Sequence, residues 1–109
     1  MTATTKKLPA HEVILAELDK YCRRMTEVFK YGISSELAEL ETLCPRITTL
    51  CEVLGLMIVP ETSHAEILRC LQEINAILPG ETNHSRVVIA KHAVASLVVA
   101  FSDSESAAT

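Results

Sequence analysis

Between residues 33 and 58, apolar side chains recur at alternating steps of four and three: Ile33, Leu37, Leu40, Cys44, Ile47, Cys51, Leu54 and Ile58. A strand cannot place such a set on one side, because its side chains alternate faces, whereas a helix gathers the set into a single seam. A seam of this length requires near-parallel or antiparallel helical neighbours along it. Pro45 interrupts the run, and its ring conflicts with the carbonyl of Glu41 four residues earlier. The pattern therefore predicts a helix over 35–58, kinked or briefly broken near Leu43–Cys44 and closed by Pro60.

Three further segments carry the same signature. Pro9 can open a helix, since a first-turn residue needs no N–H donor. Ile14, Leu18, Tyr21, Met25 and Val28 then form a stripe that Cys22 and Phe29 widen. This helix spans 10–31, with Gly32 placed to end it in a left-handed conformation. A third helix covers 63–78, with Ser63 and Glu66 spaced as a capping box and Ile67, Leu71, Ile74 and Leu78 on one face. Pro79-Gly80 stops it. A fourth covers 84–101, capped by Asn83, with Val87, Ala90, Val94, Leu97, Val98 and Phe101 on one apolar face. Its β-branched residues also permit a strand, but its length and alanines favour a helix. The fold class expected is all-α, a small bundle of four helices in one domain over 9–101, with 1–8 and the acidic segment 102–109 as disordered tails.

Composition narrows the function. The net charge is −4, and the densest basic stretch, Lys20, Arg23 and Arg24, is interleaved with Asp19 and Glu27. Direct nucleic-acid binding, which needs a basic face for phosphates, is not expected. No secretion signal is recognisable, and the apolar run Val87–Phe101 is broken by Lys91 and His92 and falls short of the roughly 20 residues that span a bilayer. The expectation is a cytoplasmic protein with no membrane partner. Cys22, Cys44, Cys51 and Cys70 lie on apolar stripes without a C-x-x-C pair and read as buried structural thiols. The related words Glu61-Thr62-Ser63-His64 and Glu81-Thr82-Asn83-His84 read as recurring capping chemistry and not as metal ligands. The four histidines, His11, His64, His84 and His92, read as surface or capping residues. No P-loop, dinucleotide fingerprint, metalloprotease motif or nucleophile elbow is present. A non-catalytic chain with no cofactor, metal or small-molecule substrate is expected. A clamp-type helical enzyme would need basic side chains converging on one pocket, and of those available only Arg69 and Lys91 lie near an apolar stripe.

Hydrophobic residues make up 49% of the chain, more than a single small core of aliphatic side chains readily absorbs. In the fourth helix Ser85, His92 and Ser96 form a narrow polar stripe opposite the apolar face. Val88, Ile89 and Val99 flank that stripe where a one-sided helix would carry charge. Together with Leu56, Met57 and Ile58 at the end of the second helix, they are the candidate partner-binding residues. An interaction protein that forms a homodimer follows from this reading. Small size, acidic charge, helical make-up, the opening Leu8-Pro9-Ala10-His11-Glu12 into a long helix and the closing apolar helix make the chain similar to small bacterial quorum-sensing anti-activators. That resemblance implies binding to a LuxR-type transcriptional activator, blocking its dimerisation or DNA contact. The competing expectation is a small dimeric secretion or assembly chaperone that holds an extended client segment.

Overall fold

The structure, a computed structural model, describes residues 9–32, 34–80 and 82–108. Helix α1 (Ala10–Tyr31) buries His11, Leu15, Leu18, Cys22, Met25 and Val28. The buried seam is thus rotated slightly from the stripe expected; Ile14, Tyr21 and Phe29 pack at its margins. Gly32 ends the helix in an extended conformation (φ −69°, ψ 143°) and not a left-handed one, while its N–H still donates to the Val28 carbonyl at 2.8 Å. A glycine is needed here for space: a Cβ would land on the Val28 carbonyl oxygen.

The expected second helix is divided. A short α2 (Ser34–Leu37) and a long α3 (Leu40–Leu56) are separated by a turn at Ala38–Glu39. The break therefore lies upstream of Pro45, which sits inside α3. Restarting the helix at Leu40 leaves the proline just past the first turn, at the cost of the one bond its missing N–H would give the Glu41 carbonyl. Arg24 of α1 holds the turn. Its guanidinium donates to Glu39 at 2.8 and 3.0 Å and to Glu27 at 2.6 Å, and it lies 3.6 Å from Glu36. The seam consequently survives only over Leu40, Cys44, Ile47, Cys51 and Leu54; Leu37 and Ile58 at its ends are exposed, and Ile33 lies outside the described residues.

Helix α4 (His64–Ile77) is entered through a 3-10 turn at Glu61–Ser63. Ser63 already has helical dihedrals and makes no side-chain cap bond, so the capping box does not form. A cap needs an extended residue at that point, and the His64 N–H bond back to the Glu61 carbonyl holds Ser63 in the helical region instead. Helix α5 (Ser85–Ala108) takes its first bond from the Val88 N–H to the His84 carbonyl at 2.9 Å. His84, one residue later than expected, thus occupies the cap position, and the Thr82 hydroxyl accepts its N–H at 3.0 Å. Helix α5 also continues beyond Phe101 to Ala108, where the sequence pattern predicted an unstructured acidic tail. Extending an existing helix costs far less than starting one, and Ser, Asp, Glu and Ala all tolerate it.

The four long helices close a ring in the order α1–α3–α5–α4, and among the described residues α1 does not meet α5, nor α3 meet α4. Their directions follow from contacts. Met25 meets Cys44, and Tyr21 meets Arg46, so α1 and α3 run antiparallel. Gly55 faces Leu97 while Cys44 and Pro45 face Arg86, so α3 and α5 run parallel. His64 stacks edge-on against Phe101 at 5.3 Å, so α4 opposes α5 and runs alongside α1. Inside the ring lie Leu18, Met25, Leu40, Ile47, Leu54, Ile67, Leu71, Val87 and Val94, all but inaccessible to water.

Candidate protein-interaction surface

Helix α5 presents two dissimilar sides without a charged one. Val87, Ala90, Val94, Leu97 and Phe101 are buried in the ring and Val98 is half-buried. Turned outward are Val88, Ile89, His92, Ser96, Val99 and Ala100, all exposed. From Val87 to Ser102 only Lys91 and His92 can carry charge. Lys91 is engaged at the flank, where its ammonium donates to the Gly80 carbonyl at 2.6 Å and fastens the α4–α5 connection to α5. The outward side is therefore apolar and small, interrupted by one imidazole and one hydroxyl.

The nominated residues fall into two regions of one surface. Leu56 and Ile58 are 86% and 100% exposed, because α3 ends at Leu56 and the chain leaves it extended. Met57 is instead half-buried, lining a cleft of about 190 Å³ with Leu54, Val59, His64, Leu97, Ala100 and Phe101. This cleft brings the Leu56–Ile58 segment beside the C-terminal half of α5. Ile89 lies at the other end, against Pro45, Thr48 and Thr49 of α3. Val88 borders a shallow groove toward α4 with Asn75, Lys91, His92 and Ala95. Val99 lies in the Leu97–Phe101 stretch at the Leu56–Ile58 end, 58% exposed on the open side.

Among the described residues, the grooves of the surface are not lined by clustered basic side chains. Arg23, Lys91, Arg86 and Arg46 each line a different surface groove. Arg46 donates to the Tyr21 hydroxyl at 3.1 Å and, like Lys20, stands over the Tyr21 ring. No group of three or more His, Cys, Asp or Glu among the described residues could hold a metal ion. Cys22, Cys44 and Cys51 are buried between α1 and α3, with the Cys44 thiol 3.5 Å from the Met25 sulfur. Burial, reinforced for Cys22 by the neighbouring Cys51, pushes the Cys22 and Cys51 thiols up to about 12. Such thiols are protonated near neutrality and are poor nucleophiles and ligands.

Two features escaped the sequence. Ser85–Asp103 is, by length and composition alone, long and apolar enough to cross a membrane, because α5 extends past Phe101; one side of it is nevertheless bundle core. His11 is not a surface residue: it is 9% exposed and heads the α1 seam. The signal for it was its place four and seven residues before Leu15 and Leu18. No protein-family model, curated protein or solved structure matches the chain.

Proposed function

We propose that this chain is a non-catalytic regulatory protein that binds a LuxR-type transcriptional activator in the cytoplasm and blocks its dimerisation or DNA contact, repressing quorum sensing. The observation that carries an interaction role is the uncharged outer side of α5, continued by the exposed Leu56 and Ile58. Fully burying one such aliphatic side chain yields about 1.5–3 kcal/mol. Association costs roughly 4–15 kcal/mol, and Met57, Val88, Ile89 and Val99 are already partly buried, so the set Leu56, Met57, Ile58, Val88, Ile89 and Val99 supplies the apolar centre of a contact and not the whole of it. Part of the surface serves a homodimer and part the regulator. The choice of a LuxR-type partner is supported by the likeness in size, acidity and helical make-up to small anti-activators.

The test is co-expression with LuxR-type activators, read by co-purification and by a quorum-dependent reporter. The wild-type chain is expected to co-purify with an activator and lower the reporter, and Val88→Asp and Val99→Asp to abolish both while circular dichroism stays unchanged. Failure of every activator to co-purify removes the partner. A complex that survives both aspartates removes the surface. Capture of an extended client peptide, or of lipid vesicles through α5, would put a chaperone or a membrane-surface role in place of the regulator.

A further inference from the structure

Along the outer side of α5 one line of residues, Ser85, Ile89, His92, Ser96, Val99 and Asp103, recurs at steps of four and three. All of them are exposed. At about 100° per residue the line lies directly opposite Val87, Val94 and Phe101, which are buried in the ring. Such a spacing is that of a helix packed lengthwise on another helix. Among the described residues the chain supplies no such helix there. Helices α3 and α4 adjoin α5 on its two flanks, where Pro45 and Thr49 approach Ile89 and Asn75 approaches Val88.

The order along this line is symmetric about Val94. His92 and Ser96 stand two residues to either side of it, Ile89 and Val99 five, and Ser85 and Asp103 nine. An identical helix laid antiparallel, with its own Val94 level, therefore sets Ile89 against Val99, His92 against Ser96 and Ser85 against Asp103. Each pair forms twice about a two-fold axis. Apolar meets apolar, and hydrogen-bonding group meets hydrogen-bonding group. Sliding the copy by about seven residues, one heptad, either way sets Ile89 against His92 or Val99 against Ser96. Parallel pairing stacks Asp103 on Asp103, and like charges directly opposed are unfavourable. The ends fit as well. Arg86 stands within about 1.5 Å, one residue's rise, of the level of the second copy's Asp103. Neither Arg86 nor Asp103 has an ion pair among the described residues of its own chain.

We propose that this face is covered by a second copy of the chain, α5 lying antiparallel on α5 about a two-fold axis beside His92 and Ser96. Ile89 and Val99 are its apolar contacts, and Arg86 to Asp103 closes each end. Ile89 and Val99 are each 58% exposed and Val88 beside them 44%, so all three have surface to lose. A lipid surface suits the face less well, because its polar residues run down the middle, where a membrane-bound helix puts its apolar ones. The contact rests on the reading of the outer side of α5 as an interaction surface, and it fixes which part of that side serves the homodimer.

Sedimentation equilibrium of the full chain alone is expected to give a reversible dimer. Ile89→Ser with Val99→Ser should raise its dissociation constant by about tenfold or more, since each residue is lost twice, with the helical circular dichroism unchanged. Leu56→Asp with Ile58→Asp, off the line, should change it less than twofold. Orientation is read with a bis-maleimide in a Cys70→Ser background. In the antiparallel pair the two copies of residue 89 are about 15 Å apart along the axis, whereas residue 89 of one is level with residue 99 of the other. A reagent shorter than that separation should leave Ile89→Cys or Val99→Cys alone as single chains and join the two when they are mixed. A monomer throughout, a dimer indifferent to the two serines or abolished by the two aspartates, joining of Ile89→Cys to itself, or flotation of the monomer with lipid vesicles overturns the proposal. These measurements contain no activator. A monomer that still captures a LuxR-type activator sinks the dimer and spares the regulator, and a dimer that captures none does the reverse.

Discussion

A methyl group at Gly32 would fall on the Val28 carbonyl oxygen, which already accepts the Gly32 N–H at 2.8 Å. Because the atom met is backbone, it has little freedom to move aside. Gly32→Ala is expected to cost about 1–3 kcal/mol, the range of overpacked sites, read as a lowered urea midpoint with unchanged slope. The sequence identified this glycine as a helix end but not the reason, since a left-handed dihedral and a close approach leave the same residue in the same place. The cysteines lend themselves to a second measurement. Burial holds the Cys22 and Cys51 thiols near 12 in the fold against an ordinary value of 9.0. The folded state therefore keeps protons that the unfolded chain releases, so their contribution is complete below pH 9 and is lost as pH rises toward 12. At pH 8 a disulfide reagent should modify Cys70, the half-buried thiol, well before Cys22, Cys44 and Cys51, and reach all of them only in guanidinium. Rapid reaction of more than one thiol in the native protein would contradict the burial described. Burial of the first three was legible from their places on the stripes; the half-exposure of Cys70 was not, because it depends on how closely α4 approaches α1.

At the scale of the elements, Pro45 is the instructive case. It lies inside α3, deprives the Glu41 carbonyl of its donor, and is itself exposed. Pro45→Ala should restore that bond without disturbing the core and stabilise the fold by about 1–2 kcal/mol, somewhat less than the full helix-interior penalty because proline also restricts the unfolded chain. An unchanged or lowered melting temperature would show that the ring packs usefully against Ile89 in the groove they share. The proline was visible in the sequence, and so was the need for an interruption. Its location was not, because the turn at Ala38–Glu39 is held by Arg24 from another helix. The same holds at α4 and α5. Their existence and faces follow from periodicity, whereas the actual starts depend on a 3-10 turn and on the Thr82 hydroxyl, neither of which periodicity encodes.

For the molecule as a whole, the two sides of α5 predict opposite outcomes for one substitution. Val94→Asp places an unpaired carboxylate among residues fully withdrawn from water and should abolish cooperative folding. Val99→Asp lies on the open side and should leave the monomer within about 0.5 kcal/mol of wild type. Thermal melts followed by circular dichroism separate the two, and equal damage would mean that the outer side is covered within the chain itself. Both sides could be read in advance from 100° per residue. Which helices adjoin could not: the ring order and the diagonal step from α3 to α4 depend on side-chain fit between segments distant in sequence.

The start of α1, the start of α4 and the far half of α5 gather at one pole, where His11 nears Ser63 and His64 meets Phe101. Leu56–Ile58 emerge there too. An affinity handle or fluorescent protein fused ahead of α1 or behind α5 would shade that patch, and capture experiments built that way would under-report binding. The bend around Gly80, at the antipode, clears the Leu56–Ile58 segment but shares the groove that Val88 and His92 border, so a label there would shade the other end of the surface.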